Sequence, residues 1–138
     1  MKIVIVVAVV VAAAVNTKFV EADMVDIFLN IARDPLLACA KENGFTEETP
    51  REIYDKEVQR SLEEATCLSA CTMKELGTLK DSELIPVKLN IFIKIAYAKE
   101  PEKISVKEKA AAECVEKVKS ISDECKMTYS FIKCFMEE

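Results

Sequence analysis

Ser61-Leu62-Glu63-Glu64-Ala65-Thr66-Cys67-Leu68-Ser69-Ala70-Cys71 is the stretch on which the reading of this chain turns. Ser61 and Glu64 make the Ser-x-x-Glu pattern that starts a helix by capping its free N–H groups; a start near Lys56 is the alternative. The predicted helix carries Cys67, Leu68, Cys71 and Leu76. It places Cys67 and Cys71 one turn apart on one face, with side chains leaning the same way. A bond between those two would lock a single turn, so each is expected to reach a cysteine elsewhere. The others are Cys39, Cys114, Cys125 and Cys134. Six cysteines permit fifteen pairings, and excluding Cys67–Cys71 leaves twelve, so spacing leaves the connectivity open.

Six cysteines read as a disulfide framework only if the chain is secreted, and the N-terminus points that way. Lys2 precedes an unbroken run of Ile, Val and Ala from Ile3 to Val15, too short to span a bilayer and patterned as a signal peptide. A membrane-anchoring or amphipathic helix fits poorly, because the run is short and apolar all round. Val20 and Ala22 frame Glu21, which places cleavage after Ala22, with Ala14 the alternative. Residues 1–22 are therefore expected to be removed, leaving residues 23–138 as one domain. Loss of Lys2, Lys18 and Glu21 leaves 17 basic and 23 acidic residues, a net charge of −6. An acidic domain argues against nucleic acid or an anionic membrane as its main partner. There is no Asn-x-Ser/Thr sequon.

Helical patterning fills the rest. Met24, Ile27, Phe28 and Ile31 form one apolar stripe. Asp34-Pro35 reads as an N-cap with proline in the first helical position, breaking or kinking that helix before it continues through Cys39. Thr49-Pro50-Arg51-Glu52 is a capping box that opens a second helix, and Ser61 opens a third. From Leu84 to Tyr97 the pattern is ambiguous. Val87, Leu89, Ile91, Ile93, Ile95 and Tyr97 alternate like a strand, yet Leu84, Val87, Ile91, Phe92 and Ile95 fit a helix. With no second strand to pair with, a strand would leave its backbone unsatisfied. A helix with Pro86 in its first turn is preferred, apolar around most of its circumference and hence buried. Ala98 to Ile104 is a linker, Ser105-Val106-Lys107-Glu108 a further box, and Ser122 or Asp123 caps the last helix. Gly44 and Gly77 fall at helix ends. About six helices are expected, an all-α fold.

The chain has no histidine. That removes the Ser-His-Asp triad, the His-assisted cysteine nucleophile and the histidine of helical phospholipases. Zinc and thioredoxin chemistry favour C-x2-C, whereas the closest pair here is C-x3-C. The neighbouring acids Glu47/Glu48, Glu63/Glu64 and Glu137/Glu138 do not face one another on a helix and read as solvated. No glycine-rich phosphate loop occurs. No enzyme activity, metal or cofactor is expected.

The spacing C-x27-C-x3-C-x42-C-x10-C-x8-C resembles that of the insect odorant-binding proteins (pheromone-binding and general odorant-binding type), whose most diagnostic gaps are the x3 and the x8. The likeness runs from Cys39 to Cys134 and, with an upstream helix, covers nearly the whole mature chain. It implies bridges Cys39–Cys71, Cys67–Cys125 and Cys114–Cys134, and a compact helical bundle around an apolar cavity. It implies an extracellular carrier of small hydrophobic molecules, serving olfaction through a membrane receptor, as a monomer or weak homodimer. The pocket it implies would be walled by all the predicted helices except the one starting at Thr49. Ligand-binding candidates on inward stripes are Phe28, Ile31, Leu68, Met73, Leu76 and Ile91, with Ile95, Val115, Val118, Phe131, Ile132 and Phe135. Tyr54, Tyr97 and Tyr129 can offer a hydroxyl. For each the ordinary reading is core packing, which about half are expected to be. Met73 suits varied guests through its flexible thioether. Phe135, one residue past the last bridge, is the best single candidate.

Two departures from longer-tailed relatives bear on release. Phe135 to Glu138 is too short to form an extra helix that enters the pocket at low pH. With no histidine to titrate near neutrality, binding is expected to change little between about pH 7 and 5.5. A secreted, disulfide-stapled effector of the venom or salivary type, acting through its surface, is the alternative function; a non-olfactory carrier is a third.

Overall fold

The computed structural model describes residues 25–46 and 48–137. The signal segment 1–22, both cleavage positions, Met24, Glu47 and Glu138 lie outside the described residues. Seven α-helices run along the described chain: α1 (residues 25–31), α2 (Arg33–Glu42), α3 (Pro50–Val58), α4 (Leu68–Glu75), α5 (Pro86–Ala96), α6 (Ile104–Val118) and α7 (Glu124–Glu137). A two-residue hairpin, β1 (Leu79–Lys80) and β2 (Glu83–Leu84), joins α4 to α5, and a 3-10 turn at Pro101–Lys103 leads into α6. All three expected bridges are present. Cys39–Cys71 ties α2 to α4, Cys67–Cys125 ties the start of α4 to α7, and Cys114–Cys134 ties α6 to α7.

Local chemistry explains most of the boundaries. Thr49 caps α3, its Oγ1 accepting from the Glu52 N–H at 3.3 Å and donating to the Glu52 carboxylate at 2.9 Å. Asp123 caps α7, accepting from the N–H groups of Cys125 and Lys126 at 2.9 and 3.1 Å. Pro86 opens α5 after an extended Ile85, as the helical reading of that segment requires.

Three starts differ from the sequence reading. α2 is entered through Ala32, not Asp34. Pro35 lacks an N–H and its ring crowds the carbonyl four residues back, at Ile31, so the interruption falls there. α4 begins at Leu68, not Ser61. The Ser61–Glu64 contact does form, Oγ to Oε1 at 2.8 Å, but the Thr66 N–H donates to the buried Glu57 carboxylate at 3.0 Å instead of continuing a helix. α6 begins at Ile104, one residue before Ser105, because the Pro101 turn runs straight into it.

The hairpin supplies the pairing partner that the sequence reading denied to residue 84. Leu79 faces Leu84 and Lys80 faces Glu83. Asp81 and Ser82 both hold positive φ, 52° and 62°, the two-residue turn whose twist matches paired strands. Both leucines are buried in the core.

Two apolar clusters result. The larger gathers α4 to α7 and the hairpin around Met73, Ile93, Ala111, Phe131 and Phe135. The smaller gathers α1 to α3 around Leu29, Leu36, Ile53 and, from α4, Leu68.

Candidate functional site

Where the two clusters meet, the packing leaves a cavity of about 140 Å³. An engineered apolar cavity of about 150 Å³ stays dry and takes up benzene, so the space is of ligand size. α4 contributes Leu68, Thr72 and Met73, and Leu76, its C-terminal cap, adds to the same wall; Leu68, Thr72 and Leu76 recur every four residues, which keeps them on one face. α7 contributes Phe131, Ile132, Phe135 and Met136. α1 closes one side with Phe28 and Ile31, and α3 another with Tyr54, Glu57 and Val58. α3 is therefore part of the wall, contrary to the sequence expectation.

An aromatic group shapes one wall. Phe131 and Phe135 stack with planes 4° apart and centroids 5.9 Å apart, and Phe28 meets Phe135 edge-on at 5.6 Å. Phe135 lies within α7, not in a tail, one turn after Phe131. It is buried, as Phe131 is, and all three rings touch the cavity.

The polar groups on the wall are few and mostly occupied. The Glu57 carboxylate is only 2 % exposed; it accepts from the N–H and hydroxyl of Thr66 and lies 3.1 Å from the Arg60 guanidinium. Tyr129 donates its hydroxyl to the carbonyls of Val58 and Arg60, and the Lys133 ammonium donates to the same Val58 carbonyl at 3.1 Å. These bonds hang the end of α3 on α7. The Thr72 hydroxyl is buried on the wall without a hydrogen-bond partner among the described residues. Burial raises the Tyr54 hydroxyl above its ordinary pKa of 10.0, with the Arg51 charge opposing and those of Asp55 and Glu137 adding. Burial likewise raises Tyr97, helped by Glu100. Both phenols therefore stay neutral and remain hydrogen-bond donors. Tyr97 packs edge-on against Phe28 within the larger cluster, away from the cavity wall.

The expected site residues divide cleanly. Phe28, Ile31, Tyr54, Leu68, Met73, Leu76, Phe131, Ile132 and Phe135 line the cavity together, joined by Tyr129. Four do not. Ile91 and Ile95 are 45 % and 54 % exposed on the outer face of α5, which corrects their placement on an inward stripe. Val118 is buried within the larger cluster and Val115 packs half-buried against it, both off the cavity. The residues of α5 that do reach the cavity are Leu89, Phe92 and Ile93. The signal for Leu89 and Ile93 was present in the charges: Lys88 and Lys94 flank the face of Ile91 and Ile95, whereas Leu89, Ile93 and Ala96 share a lysine-free face. Leu29, Leu36, Ala111 and Met136 were also missed; nothing distinguishes them in sequence from ordinary core positions.

Among the described residues, one cluster of potentially ligating side chains occurs, Cys39, Glu42 and Cys71. Its two sulfurs are bonded to each other, so it offers no thiolate. No described helix is long and apolar enough to cross a membrane. The profile of the PBP/GOBP family matches residues 22–138. No curated protein sequence matches the chain.

Proposed function

Because the chain belongs to the PBP/GOBP family, we propose that it is a secreted carrier that holds one small, mostly hydrocarbon molecule in the cavity between its two clusters. Members of this family are odorant- and pheromone-binding carriers of small hydrophobic ligands, not enzymes. The observation that supports the finer reading is the cavity itself: about 140 Å³, walled mostly by Phe, Leu, Ile and Met. Apolar walls favour guests by removing their surface from water, and a few polar groups orient them. Here those groups are the Tyr54 phenol and the Thr72 hydroxyl, suited to an alcohol, ester or aldehyde at one end of the guest. The size favours molecules of about six to ten heavy atoms, with affinity expected around micromolar.

Secretion belongs to the same proposal, with residues 1–22 as the signal and cleavage after Ala22. Mass spectrometry of the exported protein should find Asp23 at its N-terminus. The carrier is expected to work as a monomer or weak homodimer and to release its cargo at a membrane receptor.

The direct test is displacement of a fluorescent apolar probe from the oxidised protein by aliphatic and aromatic volatiles. Saturable, competed binding at one site supports the carrier. Failure of any probe to bind would favour the surface-acting effector. Native mass spectrometry of protein purified from its source would identify the cargo.

A further inference from the structure

The outer face of α5 carries an aliphatic stripe that the fold leaves uncovered. Val87, Ile91 and Ile95, at i, i+4 and i+8, are 70 %, 45 % and 54 % exposed. At about 100° per residue, Lys94 falls on one side of the stripe and Lys88 on the other, and Lys99 follows just past the helix end. All three lysines are exposed, and none forms an ion pair among the described residues. No acidic residue lies between Glu83 and Glu100, although the chain as a whole carries a net charge of −5. α5 is thus a purely cationic helix face with an apolar ridge, on an otherwise acidic protein.

We propose that this face seats the protein on an anionic lipid bilayer. Three aliphatic side chains would enter the headgroup–acyl boundary while Lys88 and Lys94, one on each side, extend their ammonium groups to the lipid phosphates. α5 would lie in the plane of the surface. The acidic balance of the whole chain argues against such a surface as a partner, but it also orients the molecule, since this is the face an anionic surface attracts. A second copy of the chain fits poorly, because pairing the stripe with itself brings lysines against lysines. A protein partner fits less well too: protein interfaces favour aromatic and arginine anchors and are depleted in lysine, whereas this face offers Val, Ile and Lys on a convex ridge. The proposal does not depend on the cavity being a ligand site.

The test is co-flotation of the full, disulfide-bonded mature protein with vesicles. Phosphatidylcholine vesicles are compared with equimolar phosphatidylcholine–phosphatidylglycerol, at roughly 0.05 and 0.5 M salt. Association is expected with the anionic vesicles, several-fold weaker at high salt and slight with phosphatidylcholine alone. Lys88→Glu/Lys94→Glu should lower it by about twenty-fold or more, and Val87→Ser/Ile91→Ser/Ile95→Ser should also abolish most of it. Lys41→Glu, on the exposed side of α2, should leave it unchanged. All variants replace exposed side chains, and unchanged circular dichroism and apolar-probe binding would show that fold and cavity are intact. No association with anionic vesicles, or association that the α5 variants leave untouched, overturns the proposal. So does a concentration-dependent dimer abolished by Ile91→Ser, or retention on a polyglutamate column without vesicle binding.

Discussion

The two apolar clusters that meet at the cavity are secured by different means. The larger, spanning α4 to α7, is closed covalently: Cys67–Cys125 and Cys114–Cys134 both end on α7. The smaller, made by α1 to α3, is joined to the rest by one bridge, Cys39–Cys71, and by hydrogen bonds from Tyr129 and Lys133 to the end of α3. Covalent closure on one side and polar ties on the other mean that local opening should start in α1 to α3. A guest would then enter and leave by loosening that side while the aromatic wall of α7 stays fixed.

The strongest way to break the contrast is to exchange the bridges. Cys67→Ser/Cys125→Ser opens the longest loop, 58 residues, and should cost about 4 kcal/mol, read as a denaturation midpoint with protection lost across α4 and α7. Cys39→Ser/Cys71→Ser, with a 32-residue separation, should cost about 3.5 kcal/mol. Hydrogen exchange in that variant should speed up in α1 to α3 and leave α6 and α7 protected. Equal loss of protection in both clusters would remove the distinction.

Within the larger cluster, Phe131 is 2 % exposed and stacked on Phe135. Phe131→Ala should destabilise by about 3–4 kcal/mol and widen the cavity. Probe displacement should then shift in favour of larger guests. In the smaller cluster, Thr49→Ala removes the cap of α3 and should cost about 1 kcal/mol in thermal or denaturant unfolding.

A smaller effect, pH dependence, is shared by the two clusters. The Lys74 ammonium and the Ser82 hydroxyl bond to Glu124 at the start of α7 and hold its carboxyl below the ordinary 4.5. A lowered pKa contributes stability above the unfolded value, lost as pH falls through the folded one. Lys56 does the same to Glu48 beside α3. Both ties stay intact from about pH 7 to 5.5 and weaken only below about pH 4.5. Binding should therefore be flat over the first interval. Lys74→Met should reduce stability at neutral pH and converge with the parent in acid, followed by unfolding at a series of pH values. A sharp loss of affinity between pH 7 and 5.5 would contradict this. Smallest of all, Ile91→Ser on the outer face of α5 should change stability by no more than about 0.5 kcal/mol.

Sequence carried the frame of this molecule further than its details. The cysteine gaps implied all three bridges through a family likeness, and Thr49, Pro86 and Asp123 marked helix starts because caps and prolines act on neighbouring backbone groups alone. Ser61 looked equally good as a cap. It failed because the Thr66 N–H bonds to Glu57, nine residues earlier, and no local pattern records that tie. Asp81-Ser82 escaped notice because neither is glycine, although aspartate tolerates positive φ. On α5 both faces are apolar, so periodicity could not choose between Ile91 and Ile93; the lysines on one face could have. The α7 stripe was readable because Lys126, Lys133 and Glu137 leave one clear apolar face for Phe131 and Phe135.

The central claim is that the guest sits in the cavity where the clusters meet and not on the exposed apolar surface. Methyl NMR of the oxidised mature protein, titrated with a volatile of about eight heavy atoms, tests it directly. Saturable shifts are predicted for Leu68, Met73, Leu89, Ile93 and Ile132, with Val87, Ile91, Ile95 and Val106 unmoved. Shifts confined to the exposed set, or none at all, would contradict the account.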